Sequence, residues 1–198
     1  MRDEIIEDLL RRYAEPHRHY HTAEHVMRVL HHVDSLVADD RGDVDHNAVS
    51  AAALFHDAIY ATHPGEGVEL SNEAMSARLA TDALNLVGWP DDRVRAVAAL
   101  IEATETHQST SAAAAILLDA DLAVLGAGPA RYADYVHGIR SEYSHVSDEQ
   151  WRVGRAAVLR GFLARPTIFA TSYMAREREA QARSNIAAEL SHLTTPAP

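Results

Sequence analysis

Apolar residues near the start of the chain recur every three or four positions. Ile5, Ile6, Leu9, Leu10 and Tyr13 share one side of Asp3 to Ala14, which predicts a helix. Pro16 stops it, because the residue before a proline is biased away from helical backbone. After the imidazole-dense segment His17-Arg-His-Tyr-His21, Thr22 reads as the N-cap of a second helix reaching about Ala38, with Glu24 near the positive end of its dipole. His25, Val29 and His32 or Val33 recur at helical spacing there, so His25 lies on or beside the buried stripe.

A polar turn at Asp39 to Asp43 leads into a third helix, from about Asp45 to Ile59, and Ala61 to Gly67 is a loop by its Pro and Gly content. A fourth helix, capped by Ser71, runs to Leu86 and is closed by Gly88. The fifth starts at Pro90 and Asp91 and ends near His107, and the sixth runs from Ala112 to Leu125. Pro129 suits the first turn of a seventh helix ending at Tyr143, and Ser147 with Gln150 forms a capping-box pattern for an eighth that stops at Pro166. A last helix from about Ser172 to Leu193 carries Arg176, Glu177, Arg178, Glu179 and Arg183, read as a solvated face, with dimer contact as the second reading. No stretch alternates strongly enough to be a strand. The expected fold class is all-α, a single domain of eight or nine helices over 1–193 with a disordered tail at 194–198.

The third helix carries the chemistry. Eight of the ten residues from Ala51 to Tyr60 are apolar or aromatic, and the other two, His56 and Asp57, are adjacent. A carboxylate is rarely buried unless it is paired or holds a metal. Composition narrows the choice further. The chain has no cysteine, so any metal must be held by nitrogen and oxygen, which suits Mn, Fe, Co, Ni, Mg or Zn. All 18 cationic side chains are arginine, which excludes lysine nucleophiles and a P-loop. The net charge of −11 disfavours long nucleic acid but leaves small phosphorylated ligands open. The N-terminus is no signal peptide and no run of about 18 apolar residues suggests a membrane span, so a cytoplasmic monomer or homodimer is expected.

Three predicted helices thus offer metal-competent groups: His25 on the second, His56 and Asp57 on the third, Asp119 or Asp121 on the sixth. Two imidazoles and two carboxylates neutralise a divalent ion and leave coordination positions open, as catalysis needs.

The order His, His-Asp, Asp over separate helices resembles the HD-domain superfamily of metal-dependent phosphohydrolases. The likeness spans about 13–125, the metal-site core. It extends more weakly through Gly154-Arg155 and Phe162-Leu-Ala-Arg165 into the C-terminal helices at 129–193, and the whole chain resembles a group of small stand-alone bacterial members. Tyr20-His-Thr-Ala-Glu-His25 also looks like the Tyr-His-Asn-x-x-His segment of cyclic nucleotide phosphodiesterases in the same superfamily. By that resemblance His25 is a ligand and His21 a general acid. The Ala-Asp-x-Leu setting usual for the last ligand favours Asp121 over Asp119, and residues two apart on a helix cannot both reach one ion.

Four further positions stand near this core. Arg18 is expected to hold a phosphate oxygen bidentately, Glu73 with Asn72 to orient the attacking water and the substrate, and His107 to contact phosphate or a second metal. His63 is expected to be exposed. The implied function is a hydrolase with one or two divalent metal ions bound. Water on the metal, held by His25, His56, Asp57 and Asp121, would attack a small phosphorylated molecule such as a nucleotide, with Asp57 also accepting a hydrogen bond from that water. Rival readings are a di-iron oxygenase of the same superfamily, which needs two more histidines before the last Asp, and a non-catalytic nucleotide sensor.

Overall fold

A computed structural model describes residues 3–39, 42, 44–63 and 70–194. Among them are nine α-helices and no strand: α1 Asp3–Tyr13, α2 Ala23–Asp39, α3 His46–Phe55, α4 Asn72–Leu86, α5 Asp91–Glu102, α6 Ala112–Asp121, α7 Pro129–Glu142, α8 Asp148–Ala164 and α9 Ser172–Thr194. The chain is therefore all-α, as its periodicity predicts. The tail expected after Thr194 and most of the Pro-Gly loop after His63 lie outside the described residues. No single helix among those described is long and apolar enough to cross a membrane. By internal contacts the chain divides into two compact units, Met1–Asp121 and Leu122–Pro198.

In the first unit α3 is the hub, packed against α2, α4, α5 and α6. Its Ala48, Ala51, Ala52 and Ala53 are all buried. Small side chains there let four neighbours approach closely. Local signals set most helix starts. Asp45 caps α3 by accepting from Ala48 N at 3.1 Å, and Ser71 caps α4 by accepting from Ala74 N at 3.1 Å. Gly88, at φ 77°, follows α4 in the left-handed region where glycine is favoured.

Three helix ends differ from expectation. α3 stops at Phe55, four residues before Ile59; α5 gives way to a 3₁₀ turn at Ala103–Glu105; and α6 stops at Asp121, with Leu122–Gly126 continuing as 3₁₀. None of these breaks has a proline or glycine at the break itself, so the helical pattern runs on past them.

In the second unit α8 begins with the capping box of Ser147 and Gln150. The charged run on α9 differs from the solvated face expected of it. Arg178 donates to the carbonyls of Ala123 and Gly126 at 3.3 and 3.4 Å, and Arg183 to those of Leu163, Arg165 and Pro166 at 3.1, 2.8 and 3.1 Å. Glu179 accepts from the Ile168 N–H at 3.0 Å. Only Arg176 and Glu177 keep to an exposed pair. These side chains satisfy the backbone of the α8–α9 connection and of the 3₁₀ turn, where no helix ladder is available. Below them Arg155 pairs with Glu189 at 2.8 Å while Tyr132 donates to the same carboxylate at 2.5 Å, a buried set in which the charges are mutually satisfied.

Candidate metal centre

His25 lies in the first turn of α2, on the buried face with Val26, Val29 and Val33. Its ring packs against Tyr20, centroids 4.8 Å apart. His56 follows the last residue of α3 and still donates its backbone N–H to Ala52 O at 2.9 Å, so it leaves the helix in register. Its Nδ1 meets Ala53 O at 2.9 Å, which fixes the ring and turns Nε2 inward. Asp57 sits on the turn beyond. Asp121 is the last residue of α6.

These four side chains meet. His25 Nε2 and His56 Nε2 are 3.2 Å apart. Asp57 Oδ2 lies 3.4 Å from His25 Nε2 and 3.0 Å from His56 Nε2; Asp121 Oδ1 lies 3.2 and 3.6 Å from the same two atoms. The donor atoms of His25, His56 and Asp121 all fall within 4.8 Å of one another. Asp57 reaches both imidazoles but is not in that mutual set.

A divalent ion fits this group. Bonds of about 2.1 Å put neighbouring ligand atoms ~3.0 Å apart in an octahedron and ~3.4 Å apart in a tetrahedron, the range seen here. The donors are two imidazole nitrogens and carboxylate oxygens, matching the cysteine-free composition. The electrostatics agree. Burial acts to raise Asp57, but the charges of His56 and His21, with hydrogen bonds from His25 and His56, hold it well below the usual carboxylate range. Burial opposes Asp121 likewise, and hydrogen bonds from His107, His25 and His56 hold it well below that range. Burial acts to lower His56, yet Asp57 and Asp121 outweigh it and hold it well above the usual imidazole range. Two carboxylates that stay ionised in a largely buried place favour positive charge between them.

Two more expected residues border the group. His107 Nε2 is 3.1 Å from Asp121 Oδ2. Its φ of 50° makes it the one non-glycine residue with positive φ among those described, a local cost that brings the imidazole to the carboxylate. The His21 ring lies 5.7 Å from that of His25, edge on, and 4.1 Å from that of Tyr60. Of the two candidate aspartates on α6, Asp121 joins the group; Asp119 is buried but lies outside it.

Other expectations are revised. Arg18 has a fully buried side chain, and four of its five N–H donors are taken, by Glu15, by His21 O and by the carbonyls of Asp57 and Ala58. That leaves no fork for a phosphate. The Asn72 amide pairs with both backbone groups of Ala61 rather than facing a substrate. Glu73 is in the first turn of α4, half-buried, and joins none of the hydrogen bonds or ion pairs of the His/Asp group described above. His63 is exposed, as expected. Tyr60 and Ser76 escape sequence reasoning. Tyr60 packs on His21 and lies under Arg18, and Ser76 accepts from the Ile59 N–H at 3.0 Å. Both act where α3 has ended, so a helical repeat cannot flag them.

Fold and centre define an all-α protein with a buried His/Asp group able to hold a metal ion. The chain belongs to the HD-domain family, whose model matches residues 22–139, more than half its length. That family indicates the metal-dependent phosphohydrolase superfamily. No curated protein and no solved structure matches the chain.

Proposed function

We propose that this protein hydrolyses a small phosphorylated substrate, a nucleotide or another phosphate ester, with a divalent metal held by His25, His56, Asp57 and Asp121. The observation that carries the reading is the convergence of His25, His56 and Asp121 in a single group of ligand atoms, with Asp57 in contact with both imidazoles. A metal held there would lower the pKa of a bound water and polarise a phosphoryl oxygen. His56 is kept in its orientation by Ala53 O, and His25 by packing on Tyr20. Asp57 and Asp121 stay ionised and balance a divalent charge. His21, whose ring packs on Tyr60, would give a proton to the leaving oxygen. His107, partly exposed beside Asp121, would meet negative charge on the phosphoryl group.

The HD-type oxygenase reading needs two further histidines. Of the two in the right stretch, His107 borders the group and His63 is exposed in a loop, which supports the hydrolase. The test is elemental analysis of the purified chain followed by a phosphatase panel run with Mn, Co, Ni and Mg. About one metal per chain with metal-dependent phosphate release is expected. Metal-free protein, or bound metal with no release from any phosphate ester, would overturn the assignment.

A further inference from the structure

In an unbroken helix the Ala61 N–H would bond to the Asp57 carbonyl four residues back. Here the two groups are held by other partners. Asp57 O accepts from Arg18 Nη1 at 2.8 Å, and Ala61 N donates to Asn72 Oδ1 at 3.0 Å. The exchange is repeated on either side. Ala58 O accepts from Arg18 Nη2 at 3.2 Å, Ala61 O accepts from Asn72 Nδ2 at 3.2 Å, and Ile59 N goes to Ser76 Oγ.

The segment His56-Asp-Ala-Ile-Tyr60 contains neither proline nor glycine, so nothing in it obliges a helix to end. At the break itself Ala53 O meets His56 Nδ1, Leu54 O accepts from the Tyr13 hydroxyl and Phe55 O from the Ala58 N–H, each at 2.9 Å; past it, residues distant in sequence hold the backbone. A guanidinium suits this place, since its rigid fork reaches two adjacent carbonyls and its charge is favourable at a helix C-terminus. Arg18 also donates to His21 O at 3.0 Å, and it is held between the rings of Tyr13 and Tyr60 at 5.2 and 5.4 Å.

We infer that Arg18 and Asn72 are a pair of positioning residues that hold the backbone beyond Phe55 out of the helix and thereby aim His56 and Asp57 at one point. Consecutive side chains on a helix diverge by about 100°. With the helix stopped, His56 Nε2 and Asp57 Oδ2 come to 3.0 Å. Through His21 O the same guanidinium ties that histidine to the turn that carries Asp57. Both residues act through backbone groups of this turn. The consequence for metal affinity rests on the function proposed above; the control of the helix end does not.

The test is backbone NMR on the full metal-free chain, as wild type, Arg18→Ala and Asn72→Ala, with manganese titrations alongside. Loss of either residue is expected to move the Cα shifts of Asp57 to Tyr60 toward helical values. Guanidinium ion added to Arg18→Ala should move them back, which a general loss of stability would not allow. Manganese affinity should fall about 10–100-fold in both variants, the usual effect of removing a partner that orients ligands. Wild-type shifts in the folded variants, or a move toward disordered-chain values, overturn the inference. If Arg18→Ala does not fold, Asn72→Ala decides by the same criterion. Failure of the wild type to bind manganese would count against the proposed function, while the shifts still judge the helix stop.

Discussion

His25 Nε2 and His56 Nε2 face each other at 3.2 Å, one from the start of α2 and one from just beyond the end of α3. His56 directs its other ring nitrogen at Ala53 O, so its inward nitrogen is the one left for a third partner. An ion shared with Asp121 satisfies both rings at once. Removing any one of the three donors should therefore empty the site. His25→Ala, His56→Ala and Asp121→Ala are expected to purify without metal and without turnover, whereas Asp119→Asn should retain metal. Elemental analysis of the four variants checks this, and loss of metal in Asp119→Asn alone would reverse the choice between the two aspartates.

His21 is expected to separate binding from turnover. It stands beyond the metal-binding group, with its ring packed on Tyr60. His21→Ala should keep its metal and lose kcat by roughly 10²–10⁴-fold, the usual contribution of a positioned proton donor. A leaving group that needs no proton should lose much less. Steady-state kinetics with esters of high and low leaving-group pKa make the comparison, and an equal loss on both would remove the acid role.

The helix count and the all-α class were legible because apolar periodicity and caps are local signals, whereas the choice of His25 and Asp121 rested on the resemblance to the HD-domain superfamily. Ser71, and Ser147 with Gln150, cap as their sequence positions suggest. The helix ends at the site were not legible. α3, α5 and α6 each stop short because distant side chains or a change to 3₁₀ backbone take over from the helical ladder. Arg18 and Asn72 look like substrate contacts by proximity in sequence, yet Arg18 donates to Glu15 and three backbone carbonyls and the Asn72 amide pairs with Ala61. Arg178, Glu179 and Arg183 look like a solvated run for the same reason: sequence shows a charge but not the carbonyl or N–H it meets.

Gly126 carries a specific packing demand. A Cβ built on it would lie 2.5 Å from Arg178 Cβ and 2.8 Å from Arg178 O. The carbonyl belongs to α9 and cannot rotate aside like a flexible side chain. Gly126→Ala should therefore destabilise the protein by about 1–3 kcal/mol, the range for overpacking. Gly161→Ala, with nothing within 4 Å, lies within α8 and should be stabilising or neutral. Urea unfolding of both variants tests the contrast, and equal stabilities would refute it.

The buried pair Arg155–Glu189 makes a sharper prediction about removing one partner against removing both. Arg155 donates to both carboxylate oxygens, at 2.8 and 3.1 Å, and Tyr132 donates to one of them. Burial acts to raise the Tyr132 pKa, and the Glu189 carboxylate adds to it, so the phenol stays protonated and donating. Arg155→Met alone leaves an unpaired buried carboxylate and should cost about 3–5 kcal/mol. Adding Glu189→Leu removes that orphan and should recover part of the loss; a double variant no more stable than the single would show that the packing of Arg155, not its charge, is what matters.

Asp45 gives stability a dependence on pH. Its hydrogen bond from Arg93, at 2.5 Å, is the main cause that lowers its pKa, with the Ala48 N–H adding to it through the N-cap. Because the folded-state pKa is depressed, this contribution is fully present above the unfolded-state pKa. It is lost as pH falls through the lower, folded-state value. Asp45→Ala should cost about 0.5–2 kcal/mol near neutrality, as loss of an N-cap does, with the half-exposed pair to Arg93 adding little. The difference from wild type should shrink on acidification below the ordinary carboxylate range, where protonation disables the cap in both proteins. Thermal unfolding of the two chains between neutral and acidic pH measures that difference, and a gap that stays constant throughout would mean the carboxylate charge contributes nothing to the start of α3.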